Sequence, residues 1–433
     1  MSADGTPGTT TNDGEQLMRG AIADDFTGAT DLAGNWRARG LRTAVALGVP
    51  TAEDLAGLAG HDAVVVALKI RSAPADVAVA QAREAARALA GLGCTQVYDK
   101  YCSTFDSTPE GNIGPIADAL LEETGARSAV VVPAFPDAGR TVYQGHLFVG
   151  SDPLDRSPMK DHPLNPMWDS RVADLLRPQT AHPVAEVPVG VVHTGEDALR
   201  AELARLEESG ARYVVVDALD NDDLAVIARA TADARLVTGG SGLALGLPPT
   251  GRTLGPITAV PGRRAVLAGS ASRATQAQVQ AAREHLPHVK VDVAAVLADP
   301  AGQVDSLLAW AQERWAEAPD RPVLVYSVGD PDDVARGRAV TADASAVVEG
   351  LFAALAPRLA DAGATQLVVA GGETSGSVAH GLDVAVLEVG QLLSPGVSWL
   401  TGRRRGADDV NLVLKSGNFG TVDLFTTAWE ELG

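Results

Sequence analysis

Two adjacent acids, Asp24 and Asp25, stand where a short apolar segment gives way to small residues, in the stretch AIADDFTGATDLAG. Thr27 and Asp31 follow within the same stretch. An acid cluster without cysteine or histidine suits three kinds of chemistry: binding Mg²⁺, accepting a hydrogen bond from a substrate hydroxyl, or acting as a general base. The structural alternative is that one Asp or Thr side chain caps the free N–H groups of a following helix. Both interpretations place the acids at a strand-to-helix turn.

A second group of polar residues could hold a small hydroxy acid. Lys100 precedes a run rich in hydroxyl groups that contains Asp106 and Ser107. A lysine pairs with a carboxylate, and an aspartate accepts hydrogen bonds from hydroxyl groups. Arg140 follows a glycine, and its planar guanidinium suits bidentate binding of a carboxylate. The competing interpretation is a turn and helix start at 106–109 and a solvated surface arginine.

Three glycine-rich turns in the second half of the chain are candidates for binding phosphate, and each follows an apolar segment. Small residues at a strand–helix junction let a phosphate approach backbone N–H groups. One such turn is weak evidence, but three in one half of the chain favour a nucleotide site. The candidate residues in these turns are Ser270, Gly371, Gly372, Glu373, Thr374 and Gly417.

Several well-known motifs are missing from the sequence. It contains no GxxxxGK[ST] pattern, no GxGxxG after a first strand, no GxSxG and no HExxH. A P-loop, a Rossmann dinucleotide site, a nucleophile elbow and a zincin site are therefore not supported. Any phosphate must be held by a different arrangement of glycine turns and basic groups.

The candidate residues need strands and turns to bring them together. Short β-branched runs alternate with alanine-rich amphipathic stretches throughout the chain, which is typical of parallel strands joined by crossover helices. We therefore predict an α/β fold of two domains, each with a mainly parallel sheet flanked by helices. The runs lie at 43–49, 63–70, 128–135, 213–219, 264–272, 323–329, 365–376 and 383–390.

The length of 433 residues is comfortable for two domains. A stretch at 241–264 is rich in glycine and proline and has no sustained period, so it predicts both the domain boundary and a hinge. We expect a disordered leader over 1–18, a first domain over 19–245 and a second over 246–433.

A proline-rich segment at 147–171 is predicted to be a functional loop, because long structureless stretches inside compact domains usually are. Its polar residues Lys160, Asp161, His162 and Asn165 are candidates for a cover over the acid site.

The bulk composition limits the partners. The formal net charge of −20 repels nucleic acid and anionic lipid at long range. No segment approaches the roughly 20 apolar residues that a spanning helix needs, and the polar N-terminus lacks the features of a signal peptide. Cys94 and Cys102 are the only cysteines, which excludes a disulfide framework and a zinc cluster. We therefore predict a cytoplasmic protein with reduced thiols that binds neither nucleic acid nor membrane.

Taken together, the motifs resemble the four-carbon acid sugar kinase family, once known only as a domain of unknown function. The resemblance spans about residues 19 to 430. The longer forms FDSTPEGNIGP and SPMKDHPLNPM are similar to the 3-oxotetronate kinase branch. The motifs that carry the resemblance are ADDFTGATDLA, KYCSTFDSTPEGNIGP, PAFPDAGRTVYQGHLFV, SPMKDHPLNPM, GGETSG and KSGNFG.

This resemblance implies an ATP-dependent kinase that phosphorylates the 4-hydroxyl of a 3-oxotetronate to give 3-oxotetronate 4-phosphate. It also implies a sugar-acid-binding N-terminal domain, a nucleotide-binding C-terminal domain, and ATP and Mg²⁺ as cofactors, with the metal ligands left unassigned. A small sugar acid is the expected partner, and a homodimer is a candidate assembly.

The resemblance assigns roles to residues as well. Asp25 and Asp24 are implied as catalytic, with Asp25 as the base or hydroxyl-orienting group, although the choice between the two stays open. The implied acid-binding residues are Lys100, Asp106, Ser107 and Arg140, and the implied nucleotide-binding residues are Ser270, Gly371, Gly372, Glu373, Thr374 and Gly417.

Three alternatives remain open. One is a threonate or erythronate 4-kinase of the same family. Another is a Mg²⁺-dependent phosphatase or hydrolase that uses Asp24 and Asp25, which leaves the glycine turns unexplained. The last is a non-catalytic sugar-acid sensor built on the same two domains.

Overall fold

The computed structural model describes residues 18–161 and 165–432. Most of the predicted leader and His162 therefore lie outside the described residues, while Met18 packs against the core. The strands of the first half are β1 Arg19–Ala23, β2 Thr43–Leu47, β3 Ala63–Ala67, β4 Gln96–Lys100, β5 Ala129–Val132, β6 Arg140–Tyr143, β7 His146–Val149, β8 Asp152–Pro153, β9 Val184–Val187, β10 Tyr213–Val216 and β11 Leu236–Gly239. The helices of the first half are α1 Phe26–Ala38, α2 Ala52–Leu58, α3 Ala75–Gly91, α4 Ile113–Thr124, α5 Val172–Leu176, α6 Val189–Val192, α7 Glu196–Glu208 and α8 Asn221–Ala230.

The second half repeats the alternation. Its strands are β12 Arg264–Ala268, β13 His288–Lys290, β14 Val323–Tyr326, β15 Gln366–Ala370, β16 Val384–Ser394, β17 Val397–Arg404 and β18 Val410–Lys415. Its helices are α9 Arg273–Arg283, α10 Val293–Ala298, α11 Pro300–Glu317, α12 Asp332–Val340, α13 Ala344–Asp361, α14 Gly372–Gly381 and α15 Leu424–Thr427.

The predicted α/β architecture is confirmed, but the two halves share one sheet. In the described chain, 15 strands pair in the order β13-β14-β12-β15-β18-β17-β16-β2-β3-β1-β4-β11-β5-β10-β9. The halves join where β16 pairs antiparallel with β2, with Leu387 opposite Val45. A single cluster of buried apolar residues extends across this join.

The strand predicted at 383–390 exists, but its pairing is not parallel. It forms the start of β16, which makes an antiparallel hairpin with β17. A run of β-branched residues indicates a buried strand without indicating the direction of its neighbour. The expectation of parallel pairing for this strand was therefore wrong, and the hairpin is what joins the two halves.

The antiparallel steps reverse the strands of the second half relative to those of the first. The pairs β2–β16, β16–β17 and β17–β18 are all antiparallel. Sheets twist by roughly 20–25° per strand, so the six pairings between β1 and β15 rotate the strands by roughly 120–150°. This rotation largely undoes the reversal, and the carboxyl ends of both parallel sets face one cleft.

In each half the order of the strands reverses direction at one central strand. In the first half β1 lies between β3 and β4, and in the second β12 lies between β14 and β15. Ligands in open α/β sheets bind outside the carboxyl ends of strands at such points. The fold therefore provides two binding positions, one in each half.

Of the proline-rich segment at 147–171, the structure describes residues 147–161 and 165–171. The segment contributes to a small antiparallel sheet of β6, β7 and β8, and two 3₁₀ turns follow that sheet, the second of them at Pro158–Asp161. Met167 is buried, whereas Trp168 is exposed.

Helix length and apolar character bear on whether the chain could cross a bilayer. Within 18–161 and 165–432, no single helix is both long enough and apolar enough, and α12 with α13 meets those criteria only as a pair bent by 92°.

Candidate active site

Asp25 forms the turn between β1 and α1. It is the N-cap of α1, and its Oδ1 accepts a hydrogen bond from the backbone N–H of Gly28 at 2.8 Å. The Thr27 hydroxyl donates to Asp25 Oδ2 at 3.2 Å. The capping interpretation is thus correct for Asp25, and one carboxylate oxygen is committed to the helix.

Asp24 has a different partner. Its two carboxylate oxygens accept from Nε and Nη2 of Arg71 at 2.7 and 2.9 Å. The same Nη2 lies 3.1 Å from Asp25 Oδ2. Asn112 holds the Arg71 loop by donating to the carbonyls of Ile70 and Ala73, both at 2.7 Å. Asp24 is therefore fully occupied in positioning Arg71.

Lys100 ends β4 beside this turn and is buried. Its Nζ donates to the carbonyl of Tyr101 at 2.9 Å. A methyl group added to Gly28 would lie 2.3 Å from Asp25 Oδ1 and 2.7 Å from Lys100 Nζ, so both charged groups border the same small space. The structure thus brings together Asp24, Asp25 and Lys100, as the sequence predicted.

The electrostatics of this cluster keep Asp25 ionised. Burial alone would raise the pKa of Asp25, but the positive charges of Arg71 and Lys100 and the two hydrogen bonds outweigh it, and the pKa is lowered. A carboxylate with a lowered pKa accepts hydrogen bonds well and is a weak base.

Asp106 and Ser107 lie in the buried loop that follows β4. Thr104 Oγ1 donates to Asp106 Oδ1 at 3.1 Å, and Thr104 also contacts the Cys102 thiol. Burial raises the pKa of Cys102, Asp106 raises it further and Arg71 opposes them, which places this loop beside the Arg71 cluster. Asp106 thus lies near the Arg71 cluster, and Ser107 follows it in the same buried loop.

Among the described residues, Arg140 makes no hydrogen bond or ion pair with Asp24, Asp25 or Lys100. It begins β6 in the small antiparallel sheet, and its Nη1 donates to the carbonyl of Ala138. Its buried Nε has no hydrogen-bond partner among the described residues.

The three glycine turns of the second half come together. A methyl group on Gly269 would lie 2.2 Å from Thr374 Oγ1, and one on Gly371 would lie 3.3 Å from the backbone nitrogen of Ser270. A methyl group on Gly417 would lie 2.3 Å from Ser270 Oγ. These close approaches require glycine and show that the three turns are packed against one another.

The carbonyl of Gly417 is held by three donors. It accepts from Ser272 Oγ at 2.5 Å, Thr275 Oγ1 at 2.8 Å and Lys415 Nζ at 3.2 Å. Because the C=O and N–H of a trans peptide point in opposite directions, the N–H of Asn418 points away from these donors. The three donors therefore fix the orientation of the peptide that follows Gly417.

Lys415 is fully buried at the end of β18. Its Nζ also donates to Thr275 Oγ1 at 3.0 Å. Burial lowers the pKa of Lys415 to about 7. This lysine consequently changes its charge near neutral pH.

A cavity of about 280 Å³ lies between the two halves. Asp25 and Thr27 line it from the first half, and Gly372 and Glu373 line it from the second. α14 approaches α1 closely here, since a methyl group on Gly376 would lie 2.7 Å from the Phe26 ring. The aspartate turn and one glycine turn thus share a single cavity.

An ion pair crosses this cavity. Lys69 Nζ, after β3, lies 2.6 Å from Glu373 Oε2, in the first turn of α14. The hydrogen bond to Glu373 raises the pKa of Lys69. The contact confirms that the carboxyl ends of β3 and β15 meet.

Comparison with known protein families also divides the chain into two parts. Residues 19–247 match a family model described as a sugar-binding N-terminal domain, and residues 265–425 match one described as a nucleotide-binding C-terminal domain. A 3-oxo-tetronate kinase from Burkholderia multivorans is 44% identical over 427 residues, covering 96% of this chain and 97% of the relative. The chain belongs to the four-carbon acid sugar kinase family, in its 3-oxo-tetronate kinase branch.

Another relative and two solved structures are similar over a comparable share of the chain. A 3-oxo-tetronate kinase from Salmonella typhimurium is 42% identical and covers 96% of this chain and 99% of the relative. A crystal structure from Salmonella typhimurium, described as a candidate tRNA synthase, has a TM-score of 0.87 at 41% identity and covers 96% of this chain and 100% of that one. A Haemophilus influenzae structure from the same family has a TM-score of 0.80 at 38% identity, with coverage of 96% and 100%.

Three basic residues near the site, Lys69, Arg71 and Lys415, were not chosen as site residues from the sequence. Arg71 and Lys69 follow β3, whose end lies beside that of β1 in the sheet. Lys415 precedes a glycine turn that was selected only for Gly417. The available signal was a lysine or arginine just after an apolar run, a pattern too common in loops to single these residues out.

The sugar-kinase family implies a magnesium ion. Among the described residues no group of three or more His, Cys, Asp or Glu side chains could hold a metal. Mg²⁺ that arrives with a nucleotide takes most of its ligands from phosphates and waters and needs few from the protein. Of the two acids in the cavity wall, Asp25 and Glu373, it is Glu373 that lies at the glycine turn and could add one oxygen ligand.

Proposed function

We propose that this chain is an ATP-dependent kinase that transfers a phosphoryl group to the 4-hydroxyl of a 3-oxotetronate. The observation that carries the proposal is the single cavity shared by Asp25 of the first half and Gly372 and Glu373 of the second. A kinase must hold an acceptor hydroxyl in line with the γ-phosphate and exclude water from both. The near full-length identity to 3-oxo-tetronate kinases supports this substrate.

Residues 19–245 are proposed to bind the sugar acid. Lys100, buried beside the aspartates, attracts its carboxylate, and Asp106 and Ser107 accept or donate hydrogen bonds to its hydroxyls. Arg140 is proposed as a second carboxylate ligand, which requires its guanidinium to leave the Ala138 carbonyl.

Residues 246–433 are proposed to bind ATP. Backbone N–H groups at Gly371, Gly372 and Gly417 hold the phosphates, and the hydroxyls of Ser270 and Thr374 add donors. The N-terminus of α14 favours negative charge through its dipole and free N–H groups. Bound Mg²⁺ would neutralise phosphate charge here, with Glu373 as a candidate ligand.

Asp25 is proposed to orient the acceptor hydroxyl. Its carboxylate is ionised, partly exposed and held rigidly by Gly28 and Arg71. The transition state of phosphoryl transfer is loose, so the hydroxyl needs little activation before it attacks, and a weak base is sufficient. Asp24 acts through Arg71, as a positioning residue.

The test is an ATP-consumption assay on threonate, erythronate and their 3-oxo forms, the latter made in place by a dehydrogenase. We expect ADP to form with a 3-oxo acid and the product to carry phosphate on C4. Preference for unoxidised threonate or erythronate would reject the substrate while keeping the kinase. Ligand binding with no turnover would instead indicate a sensor. A homodimer, proposed as the assembly, is tested by light scattering.

A further inference from the structure

We propose that Lys69 is a catalytic residue that leaves Glu373 to contact the phosphoryl group during its transfer. This inference rests on the proposed kinase function and adds a residue from the sugar-binding half to the phosphate site. Lys69 lies in the loop after β3, and the ion pair with Glu373 carries its ammonium across the cavity to the glycine turn of the other half.

The position of Glu373 indicates where a phosphate would lie. Glu373 belongs to the first turn of α14, directly after Gly371 and Gly372. A carboxylate at a helix N-terminus occupies the electrostatic position that a phosphate oxygen takes in nucleotide sites. Lys69 therefore already pairs with an anion at the N-terminus of α14, where the phosphates of ATP are proposed to bind.

The charge in the cavity wall leaves Lys69 as the available cation. Its described lining contains one lysine and no arginine. Arg71 and Lys100 lie nearby, but Arg71 is held by ion pairs with Asp24 and Asp25, and Lys100 is buried with its Nζ donating to the Tyr101 carbonyl. Of the described residues that line the cavity, Lys69 is therefore the one lysine or arginine that could reach a transferring phosphoryl group.

The ion pair is weak enough to be exchanged. The side chains of Lys69 and Glu373 are 66% and 64% exposed, and exposed pairs of this kind contribute little to stability. A phosphoryl group carries more charge than a carboxylate and offers more acceptor oxygens. Exchange of partners is therefore favourable once ATP is bound.

In the transfer step, the oxygen of the acceptor hydroxyl forms a bond to the γ-phosphorus. The bond from that phosphorus to the β–γ bridging oxygen breaks, and ADP leaves with the electron pair. The hydroxyl proton passes to Asp25 and then to solvent. Lys69 gains and loses no proton, and it stabilises the equatorial oxygens while they carry the developing charge.

The experiment compares Lys69→Met with Lys69→Arg and with the control Arg358→Met. Arg358 is a suitable control because it forms an exposed ion pair with Asp305 outside the cavity. We expect Lys69→Met to lower kcat by roughly 10²–10³-fold, the usual effect of removing one donor to a developing charge. Lys69→Arg should recover at least a part of that loss, and Arg358→Met should match the wild type in kcat and Tm.

Binding supplies a measurement that does not depend on turnover. Lys69→Met should weaken binding of a non-hydrolysable ATP analogue while leaving ADP binding unchanged, because only the analogue has a γ-phosphate. Equal losses for both nucleotides, or kcat within threefold of the wild type, would overturn the proposal. A raised KM for the sugar acid at unchanged kcat would also overturn it, by making Lys69 a carboxylate ligand. A wild type without kinase activity would reject the proposed function itself.

Discussion

Asp25 and Asp24 are neighbours in sequence, yet the structure predicts opposite effects for their replacement by asparagine. Asp25→Asn should abolish most activity with little loss of stability, and Asp24→Asn should do the reverse. Asp25 has the more accessible carboxylate, with a side chain that is 29% exposed against 9% for Asp24. The prediction therefore separates the hydroxyl-orienting role from the positioning role.

For Asp25 the stability change is small because asparagine caps helices about as well as aspartate. The amide oxygen of the Asp25→Asn variant would still accept from Gly28, as Oδ1 does now at 2.8 Å. The charge that Asp25→Asn removes faces Arg71, and Arg71 keeps its ion pair with Asp24. The partly exposed pair between Asp25 and Arg71 therefore contributes at most about 1 kcal/mol to stability. For a domain of this size that amounts to roughly 2–4 °C in Tm.

For Asp24 the loss is larger. Its carboxylate makes both short contacts with Arg71, whose side chain is only 25% exposed. Removing one member of a largely buried pair costs about 3–5 kcal/mol, and the remaining Asp25 contact favours the lower value. About 3 kcal/mol corresponds to a Tm lower by roughly 6–12 °C.

The assay measures Tm by scanning calorimetry and kcat and KM by ATP consumption for the two variants and for Asp25→Ala. We expect kcat of Asp25→Asn to fall by roughly 10²–10⁴-fold. Asp25→Ala should lose the same activity and, in addition, about 0.5–2 kcal/mol of stability with the cap. If Asp25→Asn keeps a kcat near that of the wild type, Asp25 serves only as a helix cap. If Asp24→Asn loses more kcat than Asp25→Asn at unchanged Tm, Asp24 orients the hydroxyl and Asp25 is the positioning residue.

Two further predictions concern the nucleotide half. Gly417→Ala should raise the KM for ATP about tenfold, the effect of roughly 1.4 kcal/mol, because its methyl group would lie 2.3 Å from Ser270 Oγ and 2.9 Å from Ser272 Oγ. The control Gly350→Ala, where nothing lies within 4 Å, should leave the KM for ATP unchanged. An equal rise of KM in both variants would contradict the steric argument. Burial lowers the pKa of Lys415 in the folded chain to about 7, against an ordinary value of 10.5. Between these two pH values the unfolded chain binds more protons, so stability rises with pH. Lys415→Met should remove this rise in Tm, and an unchanged pH dependence of Tm would show that Lys415 does not titrate in this range.

The sequence predicted the parts of the fold that depend on local pattern. Runs of β-branched residues and the turns after them indicated strands, and the strand ends indicated where Asp25 and Gly371 lie. The pairing of β16 with β2 could not be predicted, because it depends on contacts between residues more than 300 positions apart, such as Leu387 with Val45. Long-range pairing leaves no local period in the chain.

The same limit applies to the site. The acid pair was recognisable because two adjacent aspartates at a strand end are unusual, and a helix cap needs only one of them. Arg71 gave no such signal, since its importance lies in a bidentate contact with Asp24 across 47 positions. Lys69 likewise becomes distinctive only when Glu373 is brought opposite to it.

The shared sheet changes how the two halves could close on their substrates. A hinge was expected in the linker at 241–264, but the linker is held to both halves: Thr250 N–H donates to the Arg39 carbonyl, and Val260 N–H donates to Asn411 Oδ1. The β2–β16 pairing adds backbone hydrogen bonds that a rigid rotation about the linker would break. Buried backbone groups without partners are costly. Closure of the cleft by rotation about the linker alone is therefore disfavoured.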